Sequence, residues 1–269
     1  MKKFFAAGLS ILLMVSLVAG CSNSKVTGAV TLAGSTSMEE LAKAFGEAFT
    51  ENNSGCTVDV QAGGSGAGYT QCTGGSVDIG NMSRDLKDSE KSDTIVDTVV
   101  AIDGIAIVVN SSNTVSALTS EQIIAIYTGE ITNWNQVGGA DEDIVVVGRE
   151  AGSGTRDGFE SILKIADKCK YDAELTETGS VKSTVASTEA AIGYISLGYV
   201  DSSVKALTVD GVIPSMETVQ NGTYTIQRNF HMIMLTSNEN EAAKAFIDYV
   251  LSDEGQKIVE QMHFVPVAK

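Results

Sequence analysis

Basic residues are scarce. Eighteen Lys and Arg stand against thirty-four Asp and Glu in 269 residues, a formal net charge of -16. That balance excludes binding along a nucleic-acid backbone, which needs a basic footprint. It does not exclude a small anion, because helix dipoles and one or two arginines act locally. Histidine is nearly missing: His231 and His263 are the only two, both in or beside apolar runs. No grouping of His and Asp has the form of a two-metal phosphatase centre. Three cysteines lie beyond the N-terminal segment, Cys56, Cys72 and Cys169, and their spacing matches no metal motif. A Cys56–Cys72 disulfide in an exported chain and free buried thiols both stay open. Proline is rare, with two residues, and aromatics make up 6%. There is no repeat, coiled coil or internal low-complexity tract. The apolar run Phe4 to Val18 is too short to span a membrane comfortably.

That run belongs to a targeting segment. Met1-Lys2-Lys3 is its positive start, and it closes on Leu17-Val18-Ala19-Gly20-Cys21. The closing residues resemble the bacterial lipobox, which predicts residues 1–20 as a lipoprotein signal peptide, lipidation of Cys21 and a polar tether over 21–27.

Glycine is abundant, at 27 residues, and it gathers where strands run into helices. The segment Gly148-Arg149-Glu150-Ala151-Gly152-Ser153-Gly154-Thr155-Arg156 follows an apolar strand, Ile144 to Val147. It precedes a helical pattern marked by Phe159, Ile162, Leu163 and Ala166. The free N–H groups of a first helical turn and the dipole behind them suit an anion. Glycines permit close approach, Ser153 and Thr155 add hydroxyls, and Arg149 and Arg156 offer forked donors. A second such loop is Gly34-Ser35-Thr36-Ser37, where Ser37 and Glu40 also read as a capping box. A third is Ala62-Gly63-Gly64-Ser65-Gly66-Ala67-Gly68; its third glycine is misplaced for a dinucleotide fingerprint, and no P-loop lysine follows. Asp78 falls in a short strand predicted over 76–80. Beside an anion it makes sense only if the ligand keeps a proton for it to accept, as phosphate does and sulfate does not.

Strands alternate with helices throughout, which predicts an α/β fold with its ligand loops on one sheet edge. The runs Gly104 to Asn110 and Phe230 to Leu235 are candidate crossover strands. Trp134 reads as a core anchor.

The ordered set Gly34-Ser35-Thr36-Ser37, Gly64-Ser65-Gly66, Val77-Asp78-Ile79-Gly80, Arg149 to Arg156, Ala191-Ile192-Gly193-Tyr194 and Asp253-Glu254-Gly255-Gln256 resembles the phosphate-binding lipoproteins of bacterial phosphate ABC importers. The resemblance covers the whole mature chain. It implies a two-domain periplasmic-binding-protein fold of the second type, with two crossover strands, closing over one phosphate. Residues 28–103 with 229–269 would form domain I, and 104–228 domain II. It places Ser35, Thr36, Ser37, Ser65, Arg149, Ser153, Gly154 and Thr155 around the anion, with Asp78 accepting its proton. Arg84 and Arg156 are expected to support the loops. No catalysis, cofactor, metal or nucleic acid is implied. The expected partners are inorganic phosphate, the permease subunits of the importer, and the outer face of the cytoplasmic membrane through lipid on Cys21; a monomer is expected. Sulfate or molybdate on the same fold is an alternative ligand. A serine hydrolase or phosphatase is disfavoured, because Ser65 and Ser153 both miss the Gly-x-Ser-x-Gly elbow.

Overall fold

Val30, Leu32 and Ala33 carry no exposed surface, and the strand they define opens the sheet. The computed structural model describes residues 26–267; the signal peptide, Cys21 and most of the tether lie outside them. The first half contains β1 (Thr27–Gly34), α1 (Glu39–Asn52), β2 (Gly55–Ala62), α2 (Gly64–Thr73), β3 (Ile79–Met82) and β4 (Ile95–Asn110). Then come β5 (Ala117–Leu118), α3 (Ser120–Tyr127), β6 (Val145–Arg149), α4 (Gly154–Leu163), β7 (Ala173–Leu175), α5 (Thr178–Ser187), β8 (Ala191–Ser196), β9 (Val204–Ala206), β10 (Thr208–Val209) and α6 (Met216–Gln220). The chain returns through β11 (Gln227–Leu235), α7 (Glu241–Val250), α8 (Asp253–Gln261) and β12 (Val265–Pro266).

The fold is α/β. One mixed sheet runs in the order β2-β1-β3-β11-β4-β8-β6-β7, with β9 and β12 also paired to β4. Strands β1, β2 and β3 are parallel to one another, as are β6, β7 and β8. Between these two sets stand β11 and β4. Strand β4 pairs antiparallel with β11 over Ile95–Gly104 and with β8 over Ile105–Val109. The run Gly104 to Asn110, expected as a crossover strand, is the second half of this longer strand, and Asp103 lies buried at its middle.

Two main cores form. One packs Leu41, Phe45, Phe49, Phe230, Phe246 and Val250 around the β1–β3 set. The other packs Tyr127, Phe159, Tyr194, Ile192 and Tyr224 with Trp134 around the later strands. Trp134 is a core anchor, its indole N–H donating to Ala190 O at 2.9 Å. Cys56, Cys72 and Cys169 are free thiols, so the Cys56–Cys72 disulfide does not form. Among the described residues no helix is long and apolar enough to cross a membrane, and no cluster could hold a metal ion.

Candidate anion site

Parallel strands point their C-terminal ends the same way, so the turns after β1, β2 and β3 share one edge. The turns after β6 and β7 share another. The site lies where the two edges meet. Four helix N-termini gather there: α1 after Ser35–Ser37, α2 at Ser65, α4 at Gly154 and α5 at Thr178. Each contributes free N–H groups and a partial positive charge.

The side chains at this junction are chiefly buried hydroxyls, with the guanidinium of Arg149 among them. Ser35, Thr36, Ser37, Ser65, Ser83, Ser153, Thr155, Thr178 and Arg149 are each at most 3% exposed. Arg149 ends β6 and is held from behind: its Nε donates to Leu175 O at 3.1 Å, and Nη2 donates to Thr176 O at 2.8 Å. Its forward face donates to Thr36 Oγ1 at 3.0 Å and Thr178 Oγ1 at 3.2 Å. Burial lowers its pKa to about 10, and the nearby charge of Arg228 pushes the same way; the group remains cationic at neutral pH. Ser37 Oγ meets Thr155 Oγ1 at 2.8 Å and Thr178 Oγ1 at 3.0 Å. Ser35 Oγ donates to Ser83 Oγ at 2.7 Å, and Ser65 Oγ accepts from Ser83 N at 3.0 Å. Ser153 caps α4, accepting from Arg156 N at 3.3 Å.

The two edges touch closely. Gly66 N donates to Gly152 O at 3.0 Å, and the Tyr199 hydroxyl donates to Thr36 O at 2.8 Å. At Gly154 a side chain has no room: a Cβ would lie 2.5 Å from Ser83 Oγ and closer still to Ser65 Oγ. Outside this contact Arg84 forks onto Glu90, at 2.6 and 2.8 Å. The Arg84 Nε and Lys87 Nζ lie 2.8 and 3.0 Å from Asp157 Oδ2 on α4. Arg156 donates to Glu160 Oε1 and to Arg149 O, so it braces the loop from outside.

Two expectations from the sequence are corrected. Asp78 is not among these groups. Strand β3 begins at Ile79, so Asp78 precedes it, beside Thr31 in mid-β1 and a strand's length from the turn at Ser83. There its carboxylate accepts from Thr31 N and Oγ1 at 2.9 Å each, and from Asn240 Nδ2 at 3.0 Å. Burial alone would raise this carboxyl, but the Thr31 and Asn240 bonds, with Asn238, outweigh it and hold it below its ordinary value. The Ser37–Glu40 capping box also fails: Met38 occupies the N-cap of α1 without a side-chain bond, which leaves the Ser37 hydroxyl facing the cluster.

The structure brings together Ser35, Thr36, Ser37, Ser65, Arg149, Ser153, Gly154 and Thr155, and adds three residues that sequence reading missed. Ser83 and Thr178 follow short strands without a glycine signal. Arg228 lies at the start of β11 and donates Nη2 to Ser37 Oγ at 3.1 Å. Its only sequence signal is a cation leading into an apolar strand. A cluster of oriented hydroxyls, helix N-termini and a buried guanidinium, with no nucleophile–base pair, is suited to holding a small oxyanion.

The chain matches the model of the PBP superfamily domain over residues 21–254. It is 38% identical over 250 residues to the phosphate-binding protein PstS of Bacillus subtilis, covering 90% of this chain and 82% of that relative. It is 28% identical over 271 residues to PstS of Borreliella burgdorferi, covering 96% and 97%. Among solved structures, a substrate-binding protein assigned to phosphate ABC transport in Clostridium perfringens, with bound phosphate, superposes at TM-score 0.88 and 42% identity, covering 90% of this chain and all of that one. An ABC-type phosphate transport receptor from Vibrio cholerae superposes at 0.74 and 36% identity, covering 89% and 100%.

Proposed function

The chain belongs to the PstS family of phosphate-binding proteins, and on that premise we propose that it captures inorganic phosphate between two domains and passes it to the permease subunits of an ABC importer. The observation that carries the reading is the convergence, from two sheet edges, of Thr36 and Ser37 on one side with Arg149, Thr155 and Thr178 on the other. Every step between them is 3.2 Å or less. An anion bridging both edges binds the closed arrangement better than any open one, so it shifts the population toward closure. Strands β4 and β11 are the connections across which the halves 28–103 with 229–269, and 104–228, would move.

The protein acts by binding, without catalysis: among the described residues no side-chain base bonds Ser65 or Ser153. It works as a monomer on the extracytoplasmic side, held at the membrane by lipid on Cys21. Two acyl chains or more make such anchoring stable. Calorimetric titration of the ligand-stripped chain with phosphate tests the reading. Saturable one-to-one binding is expected. Molybdate binding with phosphate silent would keep the fold and replace the ligand, and indifference to every oxyanion would end the proposal.

A further inference from the structure

Arg228 is a second buried guanidinium at the hydroxyl cluster. It stands opposite Asp103 in the β11–β4 ladder. The two side chains are 4% and 0% exposed. Nε and Nη2 both donate to Asp103 Oδ2, at 3.1 and 2.9 Å. Asp103 Oδ1 accepts from Ser196 Oγ at 2.8 Å and Leu197 N at 3.1 Å. Both carboxylate oxygens are therefore engaged, by donors from three residues, and one edge of the guanidinium is fixed. The remaining proton of Nη2 goes to Ser37 Oγ. Nη1 is buried and has no protein partner.

Arg228 and Arg149 meet the same pair of hydroxyls, Arg228 through Ser37 and Arg149 through Thr178, and those hydroxyls are 3.0 Å apart. Two buried like charges converging on one spot repel unless negative charge is placed between them. Asp103 balances Arg228 from behind, but it does not reach Arg149, whose partners are carbonyls and hydroxyls, and no other described carboxylate bonds the cluster. The acceptors that do face it are hydroxyls, which donate as readily as they accept. A ligand proton gains no ionised partner there.

We propose that Arg228 is a second anion-recognising arginine, positioned by Asp103, and that the site takes the doubly charged form of phosphate. This rests on the phosphate reading above. Asp103, Arg149 and Tyr194 act on Arg228 directly, and Arg84, Asp85, Lys87 and Asp157 line the cavity beside it. Burial pushes the Tyr194 hydroxyl up out of the neutral range. Burial raises the Asp103 carboxyl against the Arg228 charge and the bonds from Arg228, Ser196 and Leu197, so sulfate, which carries no proton of its own, is the control that separates titration of the ligand from titration of the protein. His231, also on β11, is turned to Asp97 and Asp85, at 2.8 and 3.0 Å.

The test is titration calorimetry on the full, ligand-stripped chain in detergent. Phosphate affinity should rise roughly tenfold from pH 6 to pH 8, following the dianion fraction. Sulfate, which has no proton in this range, should bind with flat affinity, because no carboxylate is there to repel it. An Asp103→Asn/Arg228→Gln double variant leaves no lone buried charge and should lose about tenfold or more in phosphate affinity at pH 8. A flat or falling phosphate profile, a sulfate profile that climbs with it, or no sulfate binding would each overturn the proposal without touching the phosphate reading, and so would wild-type affinity in the double variant. Failure of the wild type to bind phosphate at any pH would overturn the phosphate reading itself. Should the double variant not fold, the two wild-type profiles still decide.

Discussion

Gly154→Ala separates ligand binding from fold stability. Gly154 is the first residue of α4 and has an ordinary negative φ, so alanine suits the helix itself. The atoms nearest the added methyl belong to the other sheet edge. It would lie 2.5 Å from Ser83 Oγ and 3.0 Å from Ser65 Cβ, where ordinary contact begins near 3.4 Å. Neither serine can turn aside cheaply, since Ser65 Oγ holds Ser83 N and Ser83 Oγ holds Ser35 Oγ. The edges must part by roughly 1 Å, which is enough to stretch the Ser37–Thr155 contact beyond hydrogen-bond range. Forced overpacking of this size costs about 1–3 kcal/mol. Because the cost falls on the closed arrangement alone, phosphate affinity should drop roughly 5- to 150-fold. Thermal unfolding without phosphate should stay within a degree or two of wild type. Titration calorimetry and a ligand-free melt measure the two quantities on one preparation. Wild-type affinity would refute the argument from close approach, and a large drop in the ligand-free melting temperature would show that Gly154 serves the fold rather than closure.

Other perturbations probe the remaining parts. Arg149→Ala removes the guanidinium that spans Thr36 and Thr178 and should weaken phosphate binding by about 2–5 kcal/mol in the same calorimeter. Asp157→Asn releases Arg84 and Lys87 across the rim; a partly exposed ion pair of this kind is worth about 0.5–1 kcal/mol, so affinity should fall two- to fivefold, less at high salt. Asp78→Asn should leave phosphate affinity and its margin over sulfate unchanged while lowering stability. Because the Asp78 carboxyl is held below its ordinary value in the fold, its contribution is present above the unfolded carboxylate pKa, near 3.9. That contribution is lost as pH falls through the lowered folded value. Denaturant melts of wild type and variant should therefore differ at pH 7 and converge in strong acid.

Loops that carry their own local logic were legible from the chain alone. Ser35–Ser37, Ser65, Arg149 and Ser153–Thr155 each sit where an apolar strand runs through small residues into a helix, and the fold brings them to one place. Asp78 went wrong by the length of a strand: Val77-Asp78-Ile79 reads as an alternating segment, yet pairing with β1 begins at Ile79. That puts the carboxylate beside Thr31 in mid-β1, at the opposite end of β3 from Ser83. Ser37 shows a different competition. Its spacing to Glu40 satisfies the capping rule, but Thr155, Thr178 and Arg228 from distant elements claim the hydroxyl first. The Asp103–Arg228 pair was illegible because its partners are 125 positions apart, and each looks like a lone charge spoiling an apolar run. Only the antiparallel register of β11 on β4 makes them neighbours.

Strand β4 changes partner without a loop: Gly104 is its last residue on β11 and Ile105 its first on β8. A continuous ladder has no free joint there. Any rotation of one half against the other must be stored as twist spread along two hydrogen-bonded ribbons, as in a torsion bar, with an axis fixed by the sheet. Such a coupling would return the halves along the same path each cycle and spend little entropy on searching. The Asp103–Arg228 clamp sits at the midpoint of that bar, so the residue that would grip the cargo also feels the turn.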